Sequence, residues 1–103
     1  MTAKHVVNET FDREVLHSNV PTLVDFYADW CGPCRAMGTV VDELASDVDG
    51  QADVVKVNID DSPELASRYG VQSIPTFVVV RDGEATSKLV GVQPKSALAA
   101  ALG

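Results

Sequence analysis

The chain has 103 residues, 46% of them hydrophobic and 22% charged. These are the proportions of one soluble globular domain over 1–103 and exclude disorder as the main state. With 8 Lys and Arg against 15 Asp and Glu, the net charge is -7, so nucleic acid and an anionic membrane are poor partners for its surface.

The N-terminal Met1-Thr2-Ala3-Lys4-His5 runs into the polar Asn8-Glu9-Thr10 without a signal-peptide hydrophobic region. The longest apolar runs are too short to cross a bilayer. The expected location is the cytoplasm, unless a leader preceded this numbering. A first strand falls near 5–7. Asn8 or Thr10 can cap a helix over about 10–18, with Phe11, Val15 and Leu16 on one face. After Pro21, Leu23-Val24-Asp25-Phe26-Tyr27-Ala28 reads as a central strand buried on both faces. A helix over 34–48 follows, with Met37, Val41, Leu44, Ala45 and Val48 on one side and Gly50 as its stop.

Val54-Val55-Lys56-Val57-Asn58-Ile59 is a second buried strand. Ser62 caps and Pro63 opens a short helix carrying Leu65, Ala66 and Tyr69, ended by Gly70. Strands over 76–80 and 85–90 are joined by Asp82-Gly83, a strong hairpin signal. Gln93-Pro94 opens a final helix with Leu98 and Leu102 inward. The order βαβαβαββα implies an α/β domain with a parallel core and a terminal antiparallel hairpin. No repeat, linker or low-complexity tract interrupts it.

The only two cysteines, Cys31 and Cys34, are separated by Gly32-Pro33. A disulfide framework for a small secreted fold would use more of them, spread along the chain. A bond closing so small a loop constrains the unfolded chain little, so the pair is a poor staple. A structural zinc would need two further ligands. His5 and His17 do not stand at finger-like spacing, so no metal is expected.

The segment Val24-Asp25-Phe26-Tyr27-Ala28-Asp29-Trp30-Cys31-Gly32-Pro33-Cys34 resembles the active-site segment of the thioredoxin family almost residue for residue. Lys56-Val57-Asn58-Ile59-Asp60, Ile74-Pro75-Thr76, Asp82-Gly83 and Gly91 match at the expected distances. The resemblance covers essentially the whole chain. It implies the thioredoxin fold: three α/β/α layers, a central mixed five-stranded sheet and four helices. It also implies a thiol–disulfide oxidoreductase that reduces protein disulfides through a redox-active Cys31–Cys34 disulfide. No bound cofactor is then required, because a separate reductase, commonly a flavoprotein, recharges the pair. A monomer is expected. Gly32-Pro33 points to the reductants of the family rather than to its oxidases and isomerases. Two other readings stay open: a disulfide oxidant or isomerase, and a binding module whose redox chemistry is incidental.

Thiol–disulfide exchange needs an attacking thiolate and a second thiol that resolves the mixed disulfide. Cys31 precedes a helix, whose unpaired N–H groups and positive dipole end favour a thiolate. Cys34 lies in the first turn and is expected to be more shielded. Cys31 is thus the expected nucleophile and Cys34 the resolving thiol. Asp25, mid-strand among apolar neighbours, should be buried with a raised pKa. By resemblance it accepts the Cys34 proton, through water, and Lys56 lies near it and tunes it. By resemblance also, Pro75 is cis and faces the disulfide, leaving the Ile74 backbone to pair with an extended substrate. Trp30, at the turn, joins Ile74, Pro75 and Gly91 in an apolar contact patch. The acidic pairs Asp47/Asp49 and Asp60/Asp61 read as solvated. The chain departs from the family at Thr39, where a helix-kinking proline is usual, with Gly38 before it, and at Tyr27, where Trp is common. Thr39 restores a backbone donor, so one continuous helix is expected.

Overall fold

A computed structural model describes residues 3–103. Met1 and Thr2, the start of the N-terminal stretch that has no signal-peptide hydrophobic region, lie outside them. The elements run β1 (Lys4–His5), α1 (Asn8–Phe11), a π-helical continuation (Asp12–Leu16), β2 (Thr22–Tyr27), α2 (Gly32–Asp47), β3 (Asp53–Asn58), α3 (Pro63–Arg68), β4 (Thr76–Arg81), β5 (Glu84–Val90) and α4 (Lys95–Leu102). With α1 and its continuation counted as one helix, this is the expected order.

The five strands form one mixed sheet in the order β1-β3-β2-β4-β5. β3 is parallel to β1 and β2, whereas β4 is antiparallel to β2 and β5. Alternation along the strands divides the side chains between two faces. Leu23, Val54, Phe77 and Val79 pack with Met37, Val41 and Leu44 of α2 and Leu98 and Leu102 of α4. Val24, Phe26, Val55, Val57, Val78 and Val80 pack on the opposite face with Phe11, Val15 and Leu65. Two helical layers thus enclose the sheet, and β2 is buried along nearly its whole length. No helix among the described residues is long and apolar enough to cross a membrane.

The first helix starts earlier than its local signals suggest, and neither Asn8 nor Thr10 is its cap. Val7 occupies the cap position. The Thr10 hydroxyl instead accepts the Val7 N–H at 3.2 Å. The Asn8 N–H donates to the Ser62 hydroxyl at 3.1 Å, 54 residues away in sequence. Ser62 does hold the cap position of α3, but its side chain makes no capping bond there. The buried hydroxyl ties the starts of two helices together instead. The hairpin turn follows its sequence signal: Asp82 and Gly83 have φ of 51° and 82°, the pair of positive values a type I′ turn requires. Helix α2 runs unbroken through Gly38 and Thr39.

Candidate active site

The site forms where buried β2 gives way to α2. Cys31 holds the helix cap position in an extended conformation, and Pro33 lies in the first turn, where it has no intrahelical N–H bond to lose. The N–H of Cys31 donates to Ala28 O at 3.1 Å, and the Arg35 N–H donates to Cys31 O at the same distance. The Arg35 guanidinium donates to Asp29 O at 2.7 Å, bracing the loop before Cys31.

Cys31 and Cys34 form a disulfide with a Cα–Cα distance of 5.2 Å. The Cys31 sulfur accepts the backbone N–H of Cys34 at 3.1 Å. Helix start and sulfur therefore meet at one of the donors that α2 cannot use internally. Shielding does not distinguish the two residues: Cys31 is 5% exposed and Cys34 6%. The expectation that Cys34 is the more shielded is corrected: both cysteines share one buried cluster with Ala28, against which Tyr27, Ile59 and Ile74 pack. Their difference lies in helix position and in that N–H bond.

Asp25 is 2% exposed, and its Oδ1 has no hydrogen-bond partner among the described residues. Burial pushes its carboxyl up to about 7, against a smaller lowering by Lys56 and a further rise from Asp42. Lys56 lies opposite Asp25 in register on β3. Its Nζ stands 4.6 Å from the centre of the Tyr27 ring. A cleft of about 370 Å³ opens between Cys34 and Lys56, with Tyr27 and Gly38 in its wall.

On the other side of the disulfide, the Ile74–Pro75 bond is cis, and Ile74 O is 3.8 Å from the Cys31 sulfur. Gly91 has a φ of 87°, a left-handed conformation that favours glycine, and its N–H donates to Pro75 O at 2.8 Å. Trp30 is 66% exposed, and its indole N–H donates to Asp60 at 2.9 Å. Val90 and Val92 are exposed on either side of Gly91.

Three neighbours of the site were not legible as such. Asp60 is engaged by Trp30 rather than simply solvated. Arg35 braces the loop. His5 is hydrogen-bonded to the Tyr27 hydroxyl at 3.1 Å. The family-like segment Lys56-Val57-Asn58-Ile59-Asp60 is a signal for the first. The other two depend on contacts that no local pattern encodes.

A thioredoxin family model matches residues 2–103. Thioredoxin 1 of Nostoc sp. is 49% identical over 97% of this chain and 94% of its own length. Thioredoxin 1 of Synechococcus elongatus is 50% identical over 94% and 91%. A thioredoxin of Pyropia yezoensis is 45% identical over 99% and 95%. With a Cys-X-X-Cys disulfide set at the start of a helix in a five-stranded mixed sheet, the chain belongs to the thioredoxin family and is a protein-disulfide reductase.

Proposed function

We propose that Cys31 is the attacking sulfur, Cys34 the resolving one and Asp25 the acceptor of the Cys34 proton. The observation that carries this assignment is the Cys34 N–H aimed at the Cys31 sulfur at 3.1 Å. In the reduced protein that donor, with the positive end of α2, favours a thiolate on Cys31. The thiolate attacks one sulfur of a substrate disulfide. A Cys31–substrate bond forms as the substrate S–S bond breaks, and the leaving sulfur takes up a proton. The Cys34 thiol then loses its proton to Asp25, through water in the adjoining cleft. Its thiolate attacks Cys31, closing the intramolecular disulfide as the Cys31–substrate bond breaks, and the second substrate sulfur leaves and takes up the proton that Asp25 gives back through water. The substrate has gained two electrons and two protons, and a reductase must return them to the chain. A carboxyl near 7 suits this exchange at neutral pH. Lys56 limits how far burial raises that carboxyl. Gly32 and Pro33 shape the turn and set the redox poise.

The substrate groove, in this reading, consists of Trp30, Ile74, Pro75 and Gly91. The exposure of Trp30 and the nearness of Ile74 O to Cys31 support it. An extended substrate strand would pair with the Ile74 backbone. The chain acts as one domain over 1–103, as a monomer in the cytoplasm, with a flavoprotein as its reductase and no bound cofactor of its own. The test is trapping. Cys34→Ser should hold a substrate as a mixed disulfide on Cys31, located by mass spectrometry of the digested adduct. Stable adducts on Cys34 in Cys31→Ser, with none on Cys31 in Cys34→Ser, would reverse the roles.

A further inference from the structure

Three residues on adjacent strands stand in one row. His5 of β1 is in register with Lys56 of β3, and Lys56 is in register with Asp25 of β2. The strand order β1-β3-β2 puts Lys56 in the middle. Tyr27, two residues beyond Asp25, projects from the same face of β2. Its ring lies against the Lys56 ammonium at 4.6 Å, and its hydroxyl is 3.1 Å from His5 Nδ1. The His5 and Tyr27 rings also meet edge to face, with centres 6.0 Å apart.

Lys56 takes part in no ion pair among the described residues. What fixes its ammonium is therefore the face of Tyr27, through attraction to the ring quadrupole. A lysine is flexible and swings toward water when nothing holds it. Both Lys56 and Tyr27 line the open cleft, so that escape is available. Resting on the reading of Asp25 as proton acceptor, we infer that His5 is a positioning residue: its hydrogen bond to the Tyr27 hydroxyl holds the ring that keeps Lys56 beside Asp25.

The bond does not depend on the charge of His5. A neutral Nδ1 can accept from the phenol, and a protonated one donates to it. His5 is exposed and need not exchange a proton with the site. The charged groups acting on Asp25 are Lys56 and Asp42. Burial raises the pKa of the Tyr27 hydroxyl most, a hydrogen bond with the Asn58 side chain lowers it, and the carboxylates of Asp29, Asp25 and Asp61 raise it.

The test is titration of the Asp25 carboxyl carbon by NMR in the oxidised full chain. Lys56→Met should raise the Asp25 midpoint by about one unit. His5→Leu and Tyr27→Phe should each raise it by about half a unit. The double variant should go no further than either alone, because both remove one bond. His5→Asn should restore the parent midpoint, since its side-chain amide reaches where Nδ1 stood. A purely structural role would lower melting temperature and leave the midpoint in place. If Lys56→Met moves the midpoint while His5→Leu and Tyr27→Phe do not, the role of His5 is overturned and that of Lys56 stands. If Lys56→Met leaves it unmoved, the tuning by Lys56 fails and the role of His5 falls with it.

Discussion

Asp25 and Lys56 face each other in register across β2 and β3, yet no ion pair joins them among the described residues. The ammonium lies over Tyr27, near enough to lower the carboxyl pKa but not to pair with it. Burial therefore outweighs charge attraction, and the Asp25 carboxyl rises from its ordinary 3.8 to about 7. Such a balance sacrifices stability and brings the carboxyl's titration near neutral pH.

The first prediction concerns that sacrifice. The folded state holds the Asp25 proton more tightly than the unfolded state does. Between about pH 4 and pH 7 the unfolded chain has released this proton and the folded one has not. Stability from this group is full below that window, falls as pH rises through it and is constant above. Asp25→Ala should therefore be more stable than the parent at pH 8, by on the order of 2–4 kcal/mol, with the gap closing toward pH 4. Urea denaturation at the two pH values measures it. A variant less stable than the parent at pH 8 would show that the buried carboxylate is compensated by contacts other than those described.

The second prediction separates attack from resolution. Asp25→Asn removes the carboxylate proposed to accept the Cys34 proton and nearly preserves shape. The mixed disulfide on Cys31 should then persist, with resolution slowed by at least about tenfold at pH 7. Alkylation of Cys31 by a small reagent should change much less. Rapid acid quench and mass spectrometry follow the intermediate. Equal slowing of both steps would place Asp25 in general support of the site rather than at Cys34.

Strands β2 to β5, the order of elements and the two-sided burial of β2 were legible because each rests on a short-range pattern; the first strand is Lys4–His5 rather than 5–7, because its bounds are set by pairing with β3. The burial of Asp25 and the position of the cysteine pair at a strand-to-helix turn were legible for the same reason: both are local patterns. What escaped depends on register. His5 reads as an unremarkable histidine until β1 pairs with β3 and sets it opposite Lys56. The relative shielding of the cysteines was misjudged because Ile74, 40 residues beyond Cys34, covers the pair too. Ser62 has the residue type and position of a helix cap, but its hydroxyl is used across the fold.

That misplaced cap gives the third prediction. Ser62 is buried, and its oxygen satisfies the first N–H of α1. Ser62→Ala leaves this donor without its acceptor and should cost about 1–2 kcal/mol. Hydrogen exchange at Asn8 should accelerate more than exchange within α3. If protection is lost mainly in α3, the hydroxyl serves the nearer helix after all.

The last prediction concerns Gly38, in the middle of α2. Its place there lowers helix stability, because glycine loses more backbone freedom on folding than alanine. The helix survives because Thr39 can supply the backbone donor that a proline would lack. Met37, Val41 and Leu44 also anchor the helix to the sheet on both sides of the glycine. A Cβ built at Gly38 meets nothing within 4 Å, so no steric term opposes its addition. Gly38→Ala should therefore stabilise the protein by about 0.5–1 kcal/mol, or a few degrees in melting temperature. Gly38 lines the cleft beside Cys34, and the added methyl takes up space there; if Cys34 resolves the mixed disulfide through water in that cleft, as proposed, the methyl obstructs it. Resolution of the mixed disulfide should slow while attack by Cys31 holds its rate. Calorimetry and single-turnover kinetics read the two effects separately. An unchanged or lower melting temperature would show that the helix gains nothing at this position from alanine, and equal rates would show that proton transfer does not use the cleft.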